Sequence, residues 1–310
     1  MTQSNKNQQE AQARYEYLAQ QPFVSYRRRN KAVSGLFEAV AAVFHRRELL
    51  GQLVRRELVG KYKDSALGFV WSLVRPLTQL FIYYMVMGEF LGAARGIENF
   101  AIFIFAGLTL YGLFSETVVT MTTSIVANGG LIKKVFLPRE IFPIAAAGAS
   151  LFNFSVQLVI LIIASLLVGT LVVGTNLLFA LGGFAVVLIW ALALGLALSA
   201  ANVFMRDVQF LTDVVVMLLM WFSPIVYSWT FVQSTFDGAG LPWLTELYLA
   251  NPITIGVIGF QEAFWAGPSN GTLLPDLWLR MLIASVAGLL CLWAAQRYFA
   301  KHQANFAQEL

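Results

Sequence analysis

Charge is scarce in this sequence. Asp, Glu, Lys and Arg make up only 12% of its 310 residues, and 58% are hydrophobic, whereas a soluble domain carries about 25% charged residues. A water-soluble body is excluded. There is one cysteine, so no internal disulfide can form, and Cys291, inside an apolar run, reads as a small core residue. With 25 Phe and 8 Trp the chain is too apolar for disorder or collagen. The two histidines, His45 and His302, lie apart in segments assigned to the inner surface, and neither HExxH nor a Cys/His cluster is present, so no zinc site is expected. No GxxxxGK[ST] loop exists to cradle nucleotide phosphates. The apolar spans contain no His to activate a Ser nucleophile, and the acidic residues are too dispersed for a membrane-embedded glycosyl- or acyltransferase. The two halves lack the internal symmetry of an inverted-repeat, ion-coupled transporter. The chain is not expected to be an enzyme.

Long apolar runs are what the sequence does have. Crossing a hydrocarbon core of about 30 Å takes about 20 helical residues, and runs of that length fall near 69–91, 100–126, 144–173, 177–203, 208–230 and 278–299. They are continuous rather than alternating, which argues for helices over barrel strands. The expected fold is an all-α integral membrane protein with six transmembrane helices, an N-terminal amphipathic interface helix, and a re-entrant external segment between helices 5 and 6.

The basic residues set the orientation. Of 21 Lys and Arg, twelve precede residue 64. With both termini in the cytoplasm, eighteen face inward and only Arg95 faces outward, Arg75 and Arg280 falling within spans. The basic block adjoins membrane-length runs, so its counter-surface is anionic lipid rather than nucleic acid. Residues 1–22 are polar and Gln-rich without the apolar stretch of a cleavable signal. The expected domains are a disordered cytoplasmic tail over 1–30, the interface helix over 31–64 and the six-helix transmembrane domain over 65–310.

Three segments draw separate attention. Leu36, Val40, Val43 and Phe44, then Leu50, Leu53, Val54 and Leu58, form one helical stripe, with Arg46, Arg47, Arg55 and Arg56 largely off it. That pattern suits a helix at the membrane interface, the alternative being a helix packed on a partner subunit. The segment 251–265 is apolar, too short to cross and broken by Gly256 and Gly259. It reads as re-entrant or interfacial, against an external amphipathic loop. Charges inside spans are functional candidates. Glu116 lies ~15 Å and Arg75 ~9 Å from the inner end of their spans, and the two are candidates for pairing across adjacent helices. The competing readings are snorkelling for Arg75 and a protonated structural role for Glu116.

The loop from Asn128 to Pro143, a short amphipathic element closed by Pro138 and Pro143, resembles the cytoplasmic coupling loop of the ABC-2 permeases that export polysaccharides, the O-antigen, capsule and teichoic-acid group. The likeness continues in order. Lys61 to Trp71 resembles that family's junction into the first span, Phe114-Ser115-Glu116 its second span, and Asn202 to Val208 its loop before the fifth. Ser223 to Tyr227 and Leu249 to Pro252 resemble its fifth span and external re-entrant region. The sequence departs at Arg75, where the resemblance calls for a small polar residue.

The resemblance implies a permease that works as a homodimer with two separate ATP-binding-cassette ATPase subunits. ATP and Mg would be bound in those partners and no cofactor in this chain. Asn128, Leu131, Ile132, Lys133, Lys134, Phe136, Pro138 and Arg139 would couple the spans to the ATPase. The cargo would be a polyprenyl-diphosphate-linked polysaccharide moved outward across the bacterial cytoplasmic membrane, with a teichoic acid or galactan preferred. An exporter of drugs or lipids is the alternative. Aromatic rings suit a sliding glycan, whose apolar faces stack while its hydroxyls seek polar partners. Tyr83, Tyr84, Phe105, Tyr111, Phe114, Trp221, Phe222, Tyr227 and Trp229 are therefore candidates to line the path, together with Glu116. Interfacial belts and helix contacts use the same residues.

Overall fold

The apolar runs fold as helices because a helix satisfies every internal backbone group without water. A computed structural model of the chain describes residues 46–62, 70–92, 97–134, 137–171, 174–265 and 274–310, without the side chains of Tyr62 and Arg75. The expected tail, the first part of the interface helix, Arg95 and Phe136 lie outside the described residues. All described residues belong to the single compact unit Glu38–Leu310, and among them no strand occurs.

In chain order the helices are α1 (Arg47–Tyr62), α2 (Trp71–Tyr83, continued by a π-helical stretch Tyr84–Phe90), α3 (Phe100–Ala127), the single turn α4 (Gly129–Ile132), α5 (Ile141–Val168) and α6 (Asn176–Phe204). They continue as α7 (Asp207–Trp221), α8 (Trp229–Gly238), α9 (Pro242–Leu249), α10 (Pro252–Phe264), α11 (Leu277–His302) and, after a 3-10 turn, α12 (Phe306–Glu309). Among the described residues, four helical stretches are long and apolar enough to cross a bilayer: α3, α5, α6 and Leu277–Glu309.

These four answer to the runs expected near 100–126, 144–173, 177–203 and 278–299, with shifted ends. α5 starts at Ile141 because Pro143 sits in its first turn, where no intrahelical N–H is required. It stops at Val168 because Gly169 takes the left-handed conformation, φ 77°, that closes a helix.

The run expected over 208–230 is not one helix. α7 is 15 residues, ~22 Å long, and ends just before Ser223-Pro224, since the residue preceding a proline is driven out of the helical region. The chain turns through Phe222–Ser228 and restarts at α8, where Ser228 Oγ accepts the Thr230 N–H at 3.3 Å.

α6 is the central post, packed along α3, α10 and α11, and α3 is clasped between α5 and α6. α3 is buried nearly all round, while α5 and α11 keep apolar outer faces, such as Val159, Ile163 and Leu167 or Leu282, Ile283 and Leu290, as a helix facing lipid does, and Cys291, expected in the core, is exposed on α11. α1 does not lie free: Leu53 is buried, and Val54 fills the space left by Gly148 on α5, where a Cβ would come within 2.8 Å. Its stripe therefore packs on this chain's own span.

α10 is too short to cross, as expected. Its residues Ile253–Gln261, with Ala263 and Phe264, are buried, which argues against an external amphipathic loop. Gly256 and Gly259, expected as interruptions, are instead its contact residues. A Cβ on Gly183 of α6 would lie 2.4 Å from the Gly256 carbonyl oxygen, and one on Gly259 would meet the Phe179 carbonyl oxygen at 3.1 Å. Only glycine permits that approach.

Candidate functional site

The expected coupling loop is built on the end of α3. Asn128 follows its last residue, donates from Nδ2 to the Ser124 carbonyl at 2.8 Å and accepts Arg56 Nη2 of α1 at Oδ1. α4 then turns its apolar side inward: Ile132 is buried and Leu131 packs beside it in a cluster with Leu53, Ile125, Phe142 and Phe299. Lys133 and Lys134 are exposed. Pro138 and Arg139 are half-buried. The Arg139 guanidinium lies 5.9 Å from the Phe306 ring centroid, a cation–π contact. Burial lowers the Arg139 pKa, opposed by the Glu140 charge. The loop is thus an amphipathic elbow, anchored by its apolar residues and presenting two lysines outward.

Glu116, the charge expected within a span, is not alone. Its Oε1 accepts Lys61 Nζ from the last turn of α1 and Asn153 Nδ2 from α5 at 2.7 Å. Its described cationic partner is therefore Lys61. The Arg75 side chain, the partner expected from sequence, lies outside the described atoms. Thr120 and Ser150, one turn on, face each other at 3.3 Å across the same α3–α5 seam.

The aromatic residues expected on the path divide. Phe105, Tyr111 and Phe114 are buried within this chain, and Tyr111 Oη donates to the Val216 carbonyl of α7. Tyr83, Tyr84 and Tyr227 are half-buried against the same cluster, Tyr83 Oη lying 3.8 Å from Met220 Sδ. Trp229 packs in a different cluster, with Leu249 and Ile255. Of the set, Trp221 and Phe222 are exposed, at the end of α7. Tyr227 Oη holds that end by donating to the Trp221 carbonyl at 2.6 Å.

One polar site escaped the sequence reading. The break ahead of Pro224 leaves carbonyls without intrahelical donors, and α10 supplies the donors. Thr254 Oγ1 donates to the Phe222 carbonyl at 3.2 Å, and Asn251 Nδ2 points at the same oxygen at 3.5 Å. The buried Gln261 Nε2 donates to Pro224 at 3.0 Å and to Phe103 of α3 at 3.3 Å. Gly107 makes room, since a Cβ there would lie 3.0 Å from that Nε2 and 3.2 Å from Ile225 Cα. The signal in the sequence was Gln261, beside Glu262, in an otherwise apolar run. At the same end of the molecule Arg280, expected within a span, holds Glu246 of α9 through two contacts of 2.9 and 3.1 Å.

Bilayer-length helices, a short buried helix packed between them and a basic elbow at the far end define a class, the multi-pass membrane proteins. Sequence comparison carries this to a family. The profile of the ABC-2 type transporters matches residues 48–265, and the chain belongs to that family, whose members are the membrane subunits of transporters that work with an ATP-binding-cassette ATPase. The chain is 28% identical over 278 residues to the O-antigen export system permease protein RfbA of Myxococcus xanthus, covering 89% of this chain and 100% of that one. Two permeases of the same name from Klebsiella pneumoniae are 24% and 25% identical, each match covering 78% of this chain and 90% of theirs.

Proposed function

We propose that this chain is the permease subunit of an exporter that moves an O-antigen-type polysaccharide, linked to polyprenyl diphosphate, outward across the bacterial cytoplasmic membrane. The observation that carries the cargo is the near full-length match to three permeases named for O-antigen export. That favours O-antigen over the teichoic acid or galactan preferred from sequence, and polysaccharide over drugs or lipids.

Two copies of this chain would pair with two ATPase subunits, which bind ATP and Mg. The elbow from Asn128 to Arg139 would dock on the ATPase through Lys133 and Lys134, and its buried Ile132 would pass the ATPase movement to α3 and α5. Six passes follow if α2 with its π-helical extension, 20 residues from Trp71 to Phe90, and α7 with the turn after it cross as well. Both termini are then cytoplasmic, and α10 is the re-entrant segment. The path would run between the two copies, where Trp221 and Phe222 stand exposed on this one.

The test is genetic and biochemical. Removing the gene from its host should leave lipid-linked polymer inside the cell and none at the surface, and the tagged chain should bring an ATPase through detergent. Unchanged surface polymer would refute the cargo, and export by the purified chain without an ATPase would refute the reading as a whole.

A further inference from the structure

α1 carries the inference. It leads into the membrane domain ahead of α2, its apolar stripe is packed on α5, and its charged side grips α3 at two places. Arg56 Nη2 donates to Asn128 Oδ1 at the first residue of the elbow, while also pairing with Glu57 at 3.0 Å. Lys61 Nζ pairs with Glu116 inside the membrane body. Along α3 the two grips are twelve positions apart, ~18 Å at a helix's rise, whereas Arg56 and Lys61 are separated by only ~7.5 Å along α1. The two side chains therefore reach in opposite directions, one toward the elbow and one toward the bilayer. The result is a strap across the inner half of α3.

Asn128 completes it. It is bonded to α3 through Ser124 and to α1 through Arg56, so the elbow cannot shift without drawing on both helices. The deep grip also includes α5, through Asn153 Nδ2 on Glu116 at 2.7 Å. A charge at that depth is expensive unless it is paired. Neither partner is sealed in, the side chains of Lys61 and Glu116 being 46% and 23% exposed, which suits a contact that carries load between moving helices better than one that fills a core.

We infer that Arg56 and Lys61 are positioning residues for energy coupling: through Asn128 and Glu116 they make α1 and α3 move as one lever when the elbow is displaced. This rests on the reading of the elbow as the ATPase contact. Arg56 and Lys61 act through α3 rather than by touching ATPase or cargo, and the clasp stays closed throughout the cycle.

The test uses the complete complex in proteoliposomes, with Cys291→Ser as background and three readouts: complex yield, ATPase turnover and polymer exported per ATP hydrolysed. Lys61→Glu should keep yield and turnover and lower export per ATP by about 5-fold or more. The exchange Lys61→Glu with Glu116→Lys should bring that ratio back toward the wild-type value. Replacing both residues with cysteine should uncouple the reduced complex, and bridging them with a methanethiosulfonate crosslinker should restore coupling. Wild-type export per ATP in Lys61→Glu would overturn the proposal. So would a proportional fall in yield, turnover and export that neither charge exchange nor bridging repairs, since the contact would then serve folding alone. If the wild-type complex itself exports without nucleotide, it is the proposed function that fails, and the two failures are told apart in the first lane.

Discussion

Replacing Gln261 with methionine removes two hydrogen bonds and very little volume. Gln261 Nε2 serves the carbonyls of Pro224 at 3.0 Å and Phe103 at 3.3 Å, in a setting where the residue is 4% exposed. Interhelical hydrogen bonds in membrane proteins are worth about 0.6 kcal/mol on average and up to about 1.7. Losing both should therefore lower stability by roughly 1 to 3 kcal/mol. Thr254→Val removes one bond, to Phe222 at 3.2 Å, and should lower it by about 0.6 kcal/mol. Unfolding in mixed micelles with increasing SDS, followed by tryptophan fluorescence, measures both against wild type. Because the Phe222 and Pro224 carbonyls lie just past the end of α7, the Gln261→Met protein should also lose protection from hydrogen exchange at residues 222–228 before α7 does. A Gln261→Met protein within about 0.3 kcal/mol of wild type, or one less affected than Thr254→Val, would refute the idea that α10 exists to satisfy the broken helix.

Other positions give independent checks. Gly183→Val places side-chain atoms where even a Cβ would be 2.4 Å from the Gly256 carbonyl oxygen, so α10 must move. A loss of about 3 kcal/mol is expected in the same unfolding assay, against little change for Gly130→Ala, which has nothing within 4 Å. Phe306→Ala removes a fully buried ring packed on Phe204 and Phe299. It should lower stability by about 3 to 5 kcal/mol and expose the elbow to limited proteolysis, since Arg139 loses its ring partner. Arg280→Ala should change stability by about 1 kcal/mol or less, because Glu246 is 65% exposed and water replaces the pair.

How far the sequence reaches is shown by particular segments. The four long helices were legible because hydropathy over 20 residues is a strong signal, and Gly169 and Pro143 shifted their ends by only a few residues. The break at Phe222–Ser228 was missed because apolar residues flank Pro224 on both sides, so hydropathy ran on through a turn that only backbone geometry enforces. Gly256 and Gly259 signalled irregularity, yet they serve a close approach to α6, at Gly183 and Phe179 respectively, more than 70 residues earlier in the chain, which no local pattern reports.

The charges behaved similarly. That Glu116 needed a partner followed from its depth. That the partner was Lys61, 55 positions away on another helix, depended on how α1 docks on α5. For the aromatic residues, composition could name rings but not the face each one takes, and Phe105, Tyr111 and Phe114 turned inward because α3 is enclosed by its neighbours.

The account turns on the elbow being the face that meets the ATPase. In a Cys291→Ser background, Lys133→Cys should react with a membrane-impermeant maleimide only in inverted vesicles. A short bifunctional thiol crosslinker should then join it to a cysteine on the ATPase surface. Labelling of Cys at 133 from the outside of intact cells, with no crosslink to the ATPase, would contradict the account.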